Sequence, residues 1–258
     1  MKRIPDISAY IFGGRGQGKT TLSLALALIH HENVIVWDPS AQFDGYVISY
    51  PHELRVWIEA DERPRVCVYR PVIDIRGSRS EAHEQFAEMM SVLVNGPNGR
   101  PYSDYSVIVD EADNLQGPTA RELCAGLNWL MRRSGKWPRH PYGVTVIQNS
   151  HALVDFSATV KRLATDIFIV AAENRRDFQQ LKEQFGSENL AAHVFNLRQH
   201  EVIHLYKSTD DAGRHRWCYS VWPREQSESW HVEPAGARAS RLQERSRMDS
   251  DDGANQSA

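Results

Sequence analysis

Gly13-Gly14-Arg15-Gly16-Gln17-Gly18-Lys19-Thr20 fits in full the pattern GxxxxGK[ST] of a phosphate-binding P-loop. Each residue type has a physical task in that pattern. Glycines let consecutive backbone N–H groups turn inward around a phosphate, at the positive end of the helix that follows. The Lys19 ammonium reaches the β- and γ-phosphates of a nucleoside triphosphate, and the Thr20 hydroxyl is a ligand for Mg2+. Nucleotide contacts are therefore expected over Gly13, Gly14, Arg15, Gly16, Gln17, Gly18, Lys19, Thr20 and Thr21, with ATP and Mg2+ as the ligands. A dinucleotide fingerprint GxGxxG fails on the same stretch, because Lys19 stands where the third glycine after Gly14 and Gly16 belongs.

The flanks have the context this motif needs. Ser8 to Phe12 is a β-prone run that opens into the glycines, and Leu22, Ala25, Leu26 and Ile29 recur at helical spacing beyond them. Asn33 to Trp37 is a continuous apolar run ending at Asp38-Pro39, as suits a strand of a parallel sheet covered on both faces. A helix around His52 to Ala60 and a strand over Arg65 to Tyr69 follow. The next helix starts near Ser78, with Glu81 in capping-box position and Phe86, Met89, Met90 and Leu93 inward. Tyr105 to Val109 is a strand running into Asp110. Pro118 opens a helix with Leu123, Leu127, Leu130 and Met131 inward, and Gly135 closes it. Strands at Gly143 to Ile147 and Asp166 to Ala171, and a helix from Arg175 to Phe185, complete the alternation. Strands alternating with helices predict an α/β domain with a mainly parallel sheet. Glu201 to Lys207 and Arg216 to Trp222 then read as a terminal β-hairpin. From Glu233 onward large apolar residues almost vanish, which predicts a disordered tail over 233–258 after one domain spanning 1–232.

Val107-Ile108-Val109-Asp110-Glu111 resembles a Walker B motif, an apolar strand that ends in two carboxylates. Asp110 is expected to hold Mg2+ through its water shell, and Glu111 to orient and polarise the attacking water. Glu111 turns the reading from a nucleotide switch toward a hydrolase. Asp110-Glu111-Ala112-Asp113 spells DEAD, but helicases of that name need two such domains, and this chain has room for one and a tail. Gln148, with Asn149, follows the Gly143 to Ile147 strand; an amide at that strand end is expected to sense hydrolysis between Asp110 and the γ-phosphate, and Gln148 is the candidate. Arg132, Arg133, Lys136 and Arg139 lie between the Walker B segment and that strand. Arg132 and Arg139 are the leading candidates for an arginine that stabilises transition-state charge in a neighbour's site.

Bulk properties set limits. The 258 residues can bury a sizeable core, and 41% hydrophobic and 24% charged residues are ordinary for a globular protein. A net charge of −3 offers no general attraction for nucleic acid, so a polyanion site must be a local concentration of basic groups. Arg70, Arg76 and Arg79 form one loose patch of that kind, which a solvated surface also explains. Cys67, Cys124 and Cys218 are odd in number and share no CxxC spacing, which fits a reducing compartment. The apolar run Leu24 to Ile29 is far short of the ~20 residues a membrane span requires. Pro5 and Asp6 interrupt any signal-peptide core after Lys2 and Arg3, so a cytoplasmic location is expected. His200-Glu201-Val202-Ile203-His204 matches the zinc-protease letters HExxH, but that chemistry needs a helix. On the β-prone run found here the two imidazoles would stand about 13 Å apart.

Taken together, these motifs resemble the FtsK/HerA superfamily of translocating ATPases, and within it the compact genome-packaging ATPases of tailless, membrane-containing icosahedral viruses. The resemblance is carried by the P-loop, Val34 to Pro39, Asp110 to Ala112, Arg139-His140 before the Gly143 to Gln148 strand, and Thr165 to Phe178. It covers roughly Ile7 to Phe185. It implies a RecA-like ATPase core of the ASCE type and a hexameric ring with ATP at subunit interfaces. It further implies an arginine supplied by the neighbour, double-stranded DNA in the channel, and work in the host cytoplasm or on the virion beside capsid or membrane proteins. The absence of a recognisable extra DNA-binding domain favours a minimal packaging motor. Two alternatives stand beside it: a phage assembly, extrusion or conjugation-type ATPase of the same superfamily, and an ATP-dependent switch or scaffold without turnover.

Overall fold

The structure, a computed structural model, describes residues 6–72, 79–115, 125–134, 143–151, 163–171, 175–185, 188–209 and 215–223. Its strands are β1 (Ser8–Phe12), β2 (Asn33–Trp37), β3 (Tyr46–Ile48), β4 (Val66–Tyr69), β5 (Tyr105–Val109), β6 (Val144–Ser150), β7 (Asp166–Val170), β8 (Val202–Thr209) and β9 (His215–Trp222). Its helices are α1 (Lys19–His30), α2 (Pro51–Glu59), α3 (Arg79–Val94), α4 (Ala125–Arg133), α5 (Arg175–Phe185) and α6 (Glu188–Phe195). Short 3-10 turns lie at Pro97–Gly99 and Ala112–Leu115.

One nine-stranded sheet in the order β3-β4-β2-β5-β6-β1-β7-β8-β9 organises the chain. From β3 to β7 every pairing is parallel, and β8 and β9 add an antiparallel hairpin beyond β7. The expected parallel α/β layering and terminal hairpin are therefore what the chain forms. The acid-bearing strand β5 is not adjacent to the P-loop strand β1; β6 lies between them, paired to both.

Strand alternation divides the core. Tyr10, Phe12, Val107, Val109 and Val146 face α2, α3 and α4. Ala9, Ile11, Ile108 and Ile147 face α1. Ile35, Val36, Val107 and Ile108 are completely buried, each side chain contributing about 1.5–3 kcal/mol. Burial on both faces explains why these strands read as unbroken apolar runs.

The structure departs from the sequence reading in a few places, each with a cause. The buried stripe of α1 is Leu22, Ser23, Leu26 and Ala27, with Ala25 and Ile29 only half-buried. Ser23 is tolerated inside because its hydroxyl donates to the Thr20 carbonyl at 2.9 Å and accepts from Asn149. β6 runs on through Gln148, Asn149 and Ser150, polar residues that a hydrophobic pattern ends before. β3 escapes notice because it is a three-residue edge strand with Tyr46 and Val47 exposed. α6 was too short to show a period, although Leu190, Ala191 and Val194 pack into the core. Helix α2 starts at Pro51, where the Glu53 carboxylate accepts from the Ser49 and Tyr50 N–H groups at 2.8 and 2.9 Å. Ser78, Pro118, Leu123, Gly135, Cys124, Arg76, Lys136, Arg139, His140 and the 233–258 segment lie outside the described residues.

Candidate active site

Five chain segments leave the carboxyl ends of parallel strands side by side: Gly13–Gly18 after β1, Asp38–Phe43 after β2, Asp110–Glu111 after β5, Asn149–His151 at the end of β6, and Ala171 after β7. In open α/β sheets this edge is where ligands bind.

The P-loop is shaped by positive φ angles and one close approach. Gly13, Gly16 and Gly18 have φ of 151°, 70° and 89°, a region that side chains disfavour. A Cβ on Gly13 would stand 1.7 Å from the Val170 carbonyl oxygen, so only glycine lets the loop pass β7. Gly14 N–H then donates to the Ala171 carbonyl at 3.0 Å. Lys19, 9% exposed, folds back over the loop and donates to the Gly13 and Gly14 carbonyls at 2.9 Å each. Its Nζ also lies 3.4 Å from His151 Nδ1, which must be the acceptor because an ammonium only donates. Burial lowers the Lys19 pKa, helped by the Arg15 charge, while Asp110, Asp113 and Glu111 pull it back up. Arg15 and Gly16 are exposed at the tip of the loop, as is Thr21 on α1.

Asp110 is buried at 4% exposure. Burial pushes its carboxyl pKa up, and the Glu111 and Asp38 charges act the same way, against the Asn149 hydrogen bond and the Lys19 charge. Asn149 Nδ2 donates to Asp110 Oδ1 at 3.0 Å and to Ser23 Oγ at 3.2 Å, tying β5, β6 and α1 together behind the P-loop. Asp110 Oδ2 is buried without a hydrogen-bond partner. An orphaned carboxylate oxygen on the same edge as the Thr20 hydroxyl is an oxygen donor set that fits Mg2+, which takes one or two protein oxygens and completes its shell with phosphate and water. Thr20 Oγ1 donates to Gln42 Oε1 at 3.2 Å.

Glu111 has φ 48°, which costs a non-glycine residue about 1 kcal/mol or more. Both of its carboxylate oxygens are engaged: Ser40 Oγ donates to Oε1, and Asn114 Nδ2 donates to Oε2 at 2.9 Å. Ser40 and Gln42 belong to a loop organised by buried Asp38, whose oxygens accept from the Gln42 and Phe43 N–H groups at 2.9 and 3.1 Å. Arg70 holds the same loop by donating to the Phe43 carbonyl at 2.8 Å.

Gln148 goes elsewhere. In register it stands opposite Tyr10 and Val109, on the face that α3 and α4 cover. Its side chain is fully buried and donates to Met131 Sδ at 2.9 Å. Period-two alternation gives the α1 face, and the neighbourhood of Asp110, to Asn149 instead. The amide beside Asp110 is thus that of Asn149, one residue beyond Gln148. Arg132 and Arg133 end α4, the helix that leads to the amino end of β6, and Arg133 bears electrostatically on Tyr105 at the amino end of β5. They are at the sheet edge opposite the P-loop of their own chain. Arg132 is exposed and donates to Asn128 at 2.8 Å, and Arg133 lies over the Trp129 ring at 4.7 Å. His204 is on strand β8, bonded to Asp166 at 2.7 Å and stacked on Phe168, while His200 is in the preceding turn beside Gly18. Among the described residues no group of three or more His, Cys, Asp and Glu is arranged to hold a metal, and no helix is long and apolar enough to cross a membrane.

Ser40, Gln42, Asn114 and His151 were invisible as site residues in the sequence, since none belongs to a spaced motif, while Asn149 stood beside the candidate Gln148 at the same strand end. For Asn149 the only signal was its place at the end of an apolar strand, and for Ser40 and Gln42 their place after Asp38-Pro39.

No family model matches the chain, and no curated protein matches it. Solved structures do. The chain is similar to the genome packaging NTPase B204 from Sulfolobus turreted icosahedral virus 2 in complex with AMPPCP, at 15% identity and a TM-score of 0.55, over 83% of this chain and 97% of that one. It is similar to the crystal structure of B204, the DNA-packaging ATPase from Sulfolobus Turreted Icosahedral Virus, at 13% identity and a TM-score of 0.51, over 83% and 97%. It is also similar to VirB4 of Thermoanaerobacter pseudethanolicus, at 13% identity and a TM-score of 0.54, over 85% and 90%. At these identities the likeness is one of fold: the chain has the RecA-like α/β core of these proteins.

Proposed function

We propose that this chain binds ATP with Mg2+ at the carboxyl edge of its sheet, hydrolyses it, and in an assembly of its copies drives double-stranded DNA, as a viral genome-packaging motor. The observation that carries the reading is the convergence of Lys19, Thr20, Asp110 and Glu111, from segments separate in sequence, on one edge of one sheet. Support for the motor step is the shared fold with an NTPase described as DNA-packaging, over nearly all of that protein.

In this reading the P-loop N–H groups and Lys19 hold the β- and γ-phosphates, and Thr20 and Asp110 would hold Mg2+, which would supply charge neutralisation at the phosphates. Glu111 orients a water molecule toward the γ-phosphorus. The water oxygen forms the new P–O bond as the bond to the β–γ bridging oxygen breaks, ADP leaves with that electron pair, and the water proton passes to the Glu111 carboxylate. Lys19 must leave its contacts with the Gly13 and Gly14 carbonyls and His151 to reach the phosphates, so the loop is pre-shaped and its lysine is exchanged. In this reading Arg132, which ends α4 away from its own P-loop edge, acts in a neighbour's site.

Asn149, rather than Gln148, is the residue of β6 that holds Asp110 in place. Asn149→Ala should therefore weaken apparent Mg2+ affinity in the ATPase reaction by about 10- to 100-fold, the usual effect of losing a side chain that orients a metal ligand. Gln148→Met, similar in volume, should change activity by less than about threefold. A Mg2+ titration of both variants distinguishes them, and the reverse ranking would restore Gln148 to the site.

The motor step is tested by the ATPase rate of the purified oligomer with and without double-stranded DNA. Stimulation of several-fold is expected, with charge-based contacts making it fall steeply as salt rises. A confirmed oligomer that hydrolyses ATP at a rate indifferent to DNA would remove the motor and leave the ATPase.

A further inference from the structure

We infer that Ser40 is a positioning residue for the hydrolytic carboxylate, and that the Asp38–Phe43 loop is the bracket that aims it. The inference rests on the ATPase reading of the same site and adds to it a residue that no motif contains.

Glu111 alone is poorly defined. It follows the end of β5, sits at φ 48°, and has several rotatable bonds between its backbone and its carboxylate. Two donors remove that freedom. Asn114 Nδ2 holds Oε2 from within the same turn, where Asn114 N–H also donates to the Glu111 carbonyl at 2.9 Å. Ser40 Oγ holds Oε1 from a different segment, 71 residues earlier in the chain. A contact within the turn fixes the carboxylate relative to its own backbone. Among the described residues, the Ser40 contact is the one that fixes it relative to the β2 end of the sheet, and so relative to Thr20, which the same loop touches through Gln42.

The bracket is rigid enough for this task. Its first residue, Asp38, is 1% exposed and accepts from Gln42 and Phe43 N–H, closing the loop on itself. Its last residue, Phe43, is 2% exposed and packs in the α1-side core with Leu22 and Leu26. Arg70 clamps both ends, donating to the Phe43 carbonyl at 2.8 Å and lying 3.5 Å from Asp38 Oδ2. Between these anchors Ala41 adopts φ 54°, a conformation that turns the chain sharply between Ser40 and Gln42 and lets the two side chains serve different partners. A hydroxyl on an anchored loop costs little further ordering when it binds, which is how a positioning contact gains rate.

The test measures ATP affinity and turnover separately for Ser40→Ala, Ser40→Thr and the pair Ser40→Ala with Glu111→Gln. Ser40 is exposed, so its removal leaves the core untouched. Ser40→Ala should lower kcat about tenfold with KM for ATP within about twofold, since a displaced catalytic group costs rate and not ground-state binding. Ser40→Thr, which keeps the hydroxyl, should recover most of that loss. In the Glu111→Gln background Ser40→Ala should cost nothing further. Wild-type kcat in Ser40→Ala, an equal loss in KM and kcat, no recovery by threonine, or the same tenfold loss without Glu111 would each overturn the inference. Glu111→Gln with undiminished turnover would instead sink the ATPase reading beneath it.

Discussion

Lys19→Ala is expected to lower affinity for Mg2+-ATP by about 100-fold or more and to bring turnover to background, because charge-assisted contacts to phosphate are among the strongest a site can make. The side chain is 9% exposed and its ammonium feels the charges of Asp110, Asp113 and Glu111, with Arg15 the opposing basic charge. Without it, those acids would meet a triphosphate with only the backbone N–H groups and the metal to offset the repulsion. The fold should survive, since the lost bonds run to the carbonyls of one loop, Gly13 buried and Gly14 half-buried, and not to the sheet core. Titration calorimetry with Mg2+-ATP, beside a thermal unfolding curve, checks both halves. Affinity unchanged in a folded variant would mean that the nucleotide does not enter by this loop.

Glu111→Gln should have the opposite profile, with ATP bound nearly as well and kcat reduced by about 10²- to 10⁴-fold, the range for removing a general base. Glutamine matches the size of glutamate but not its pattern of acceptors. Ser40 and Asn114 each present a donor to one carboxylate oxygen. A glutamine amide can accept from Asn114 through its oxygen and donate its NH2 to the Ser40 hydroxyl, which accepts as well as donates, so the substitution removes the base and keeps the bracket. Single-turnover measurements with saturating ATP read the chemical step directly. A loss confined to KM would assign Glu111 to binding, and the switch reading would then gain.

Much of the fold was legible because burial on both faces forces continuous apolar runs. β1, β2 and β5 begin and end at the residues where their sequence pattern does. The stripe of α1 was half legible: Leu22 and Leu26 are inward, but Ser23 and Ala27 share their face because α1 lies close against Asn149 and Ser106, whose hydroxyl donates to the Ala27 carbonyl at 2.9 Å. β6 was read as ending where its apolar residues end, although its hydrogen bonding to β1 continues to Ser150. A polar residue in a strand is legible only through its partner, and the partners of Asn149 come from α1 and β5.

By itself, the sequence determined the glycine pattern of the loop after β1, the two acids at the end of β5, and the alternation that makes a parallel sheet. These are local matters, because glycine conformations, strand hydrophobicity and motif spacing act over a few residues. Tertiary structure alone decided that Asn149 and not Gln148 meets Asp110, that Ser40 meets Glu111 across 71 positions, and that Arg132 belongs at the opposite edge. The reason is one of parity and register. Neighbouring residues of a strand point to opposite faces, and which face carries the site is set only when β6 pairs between β1 and β5 with α1 laid over one side.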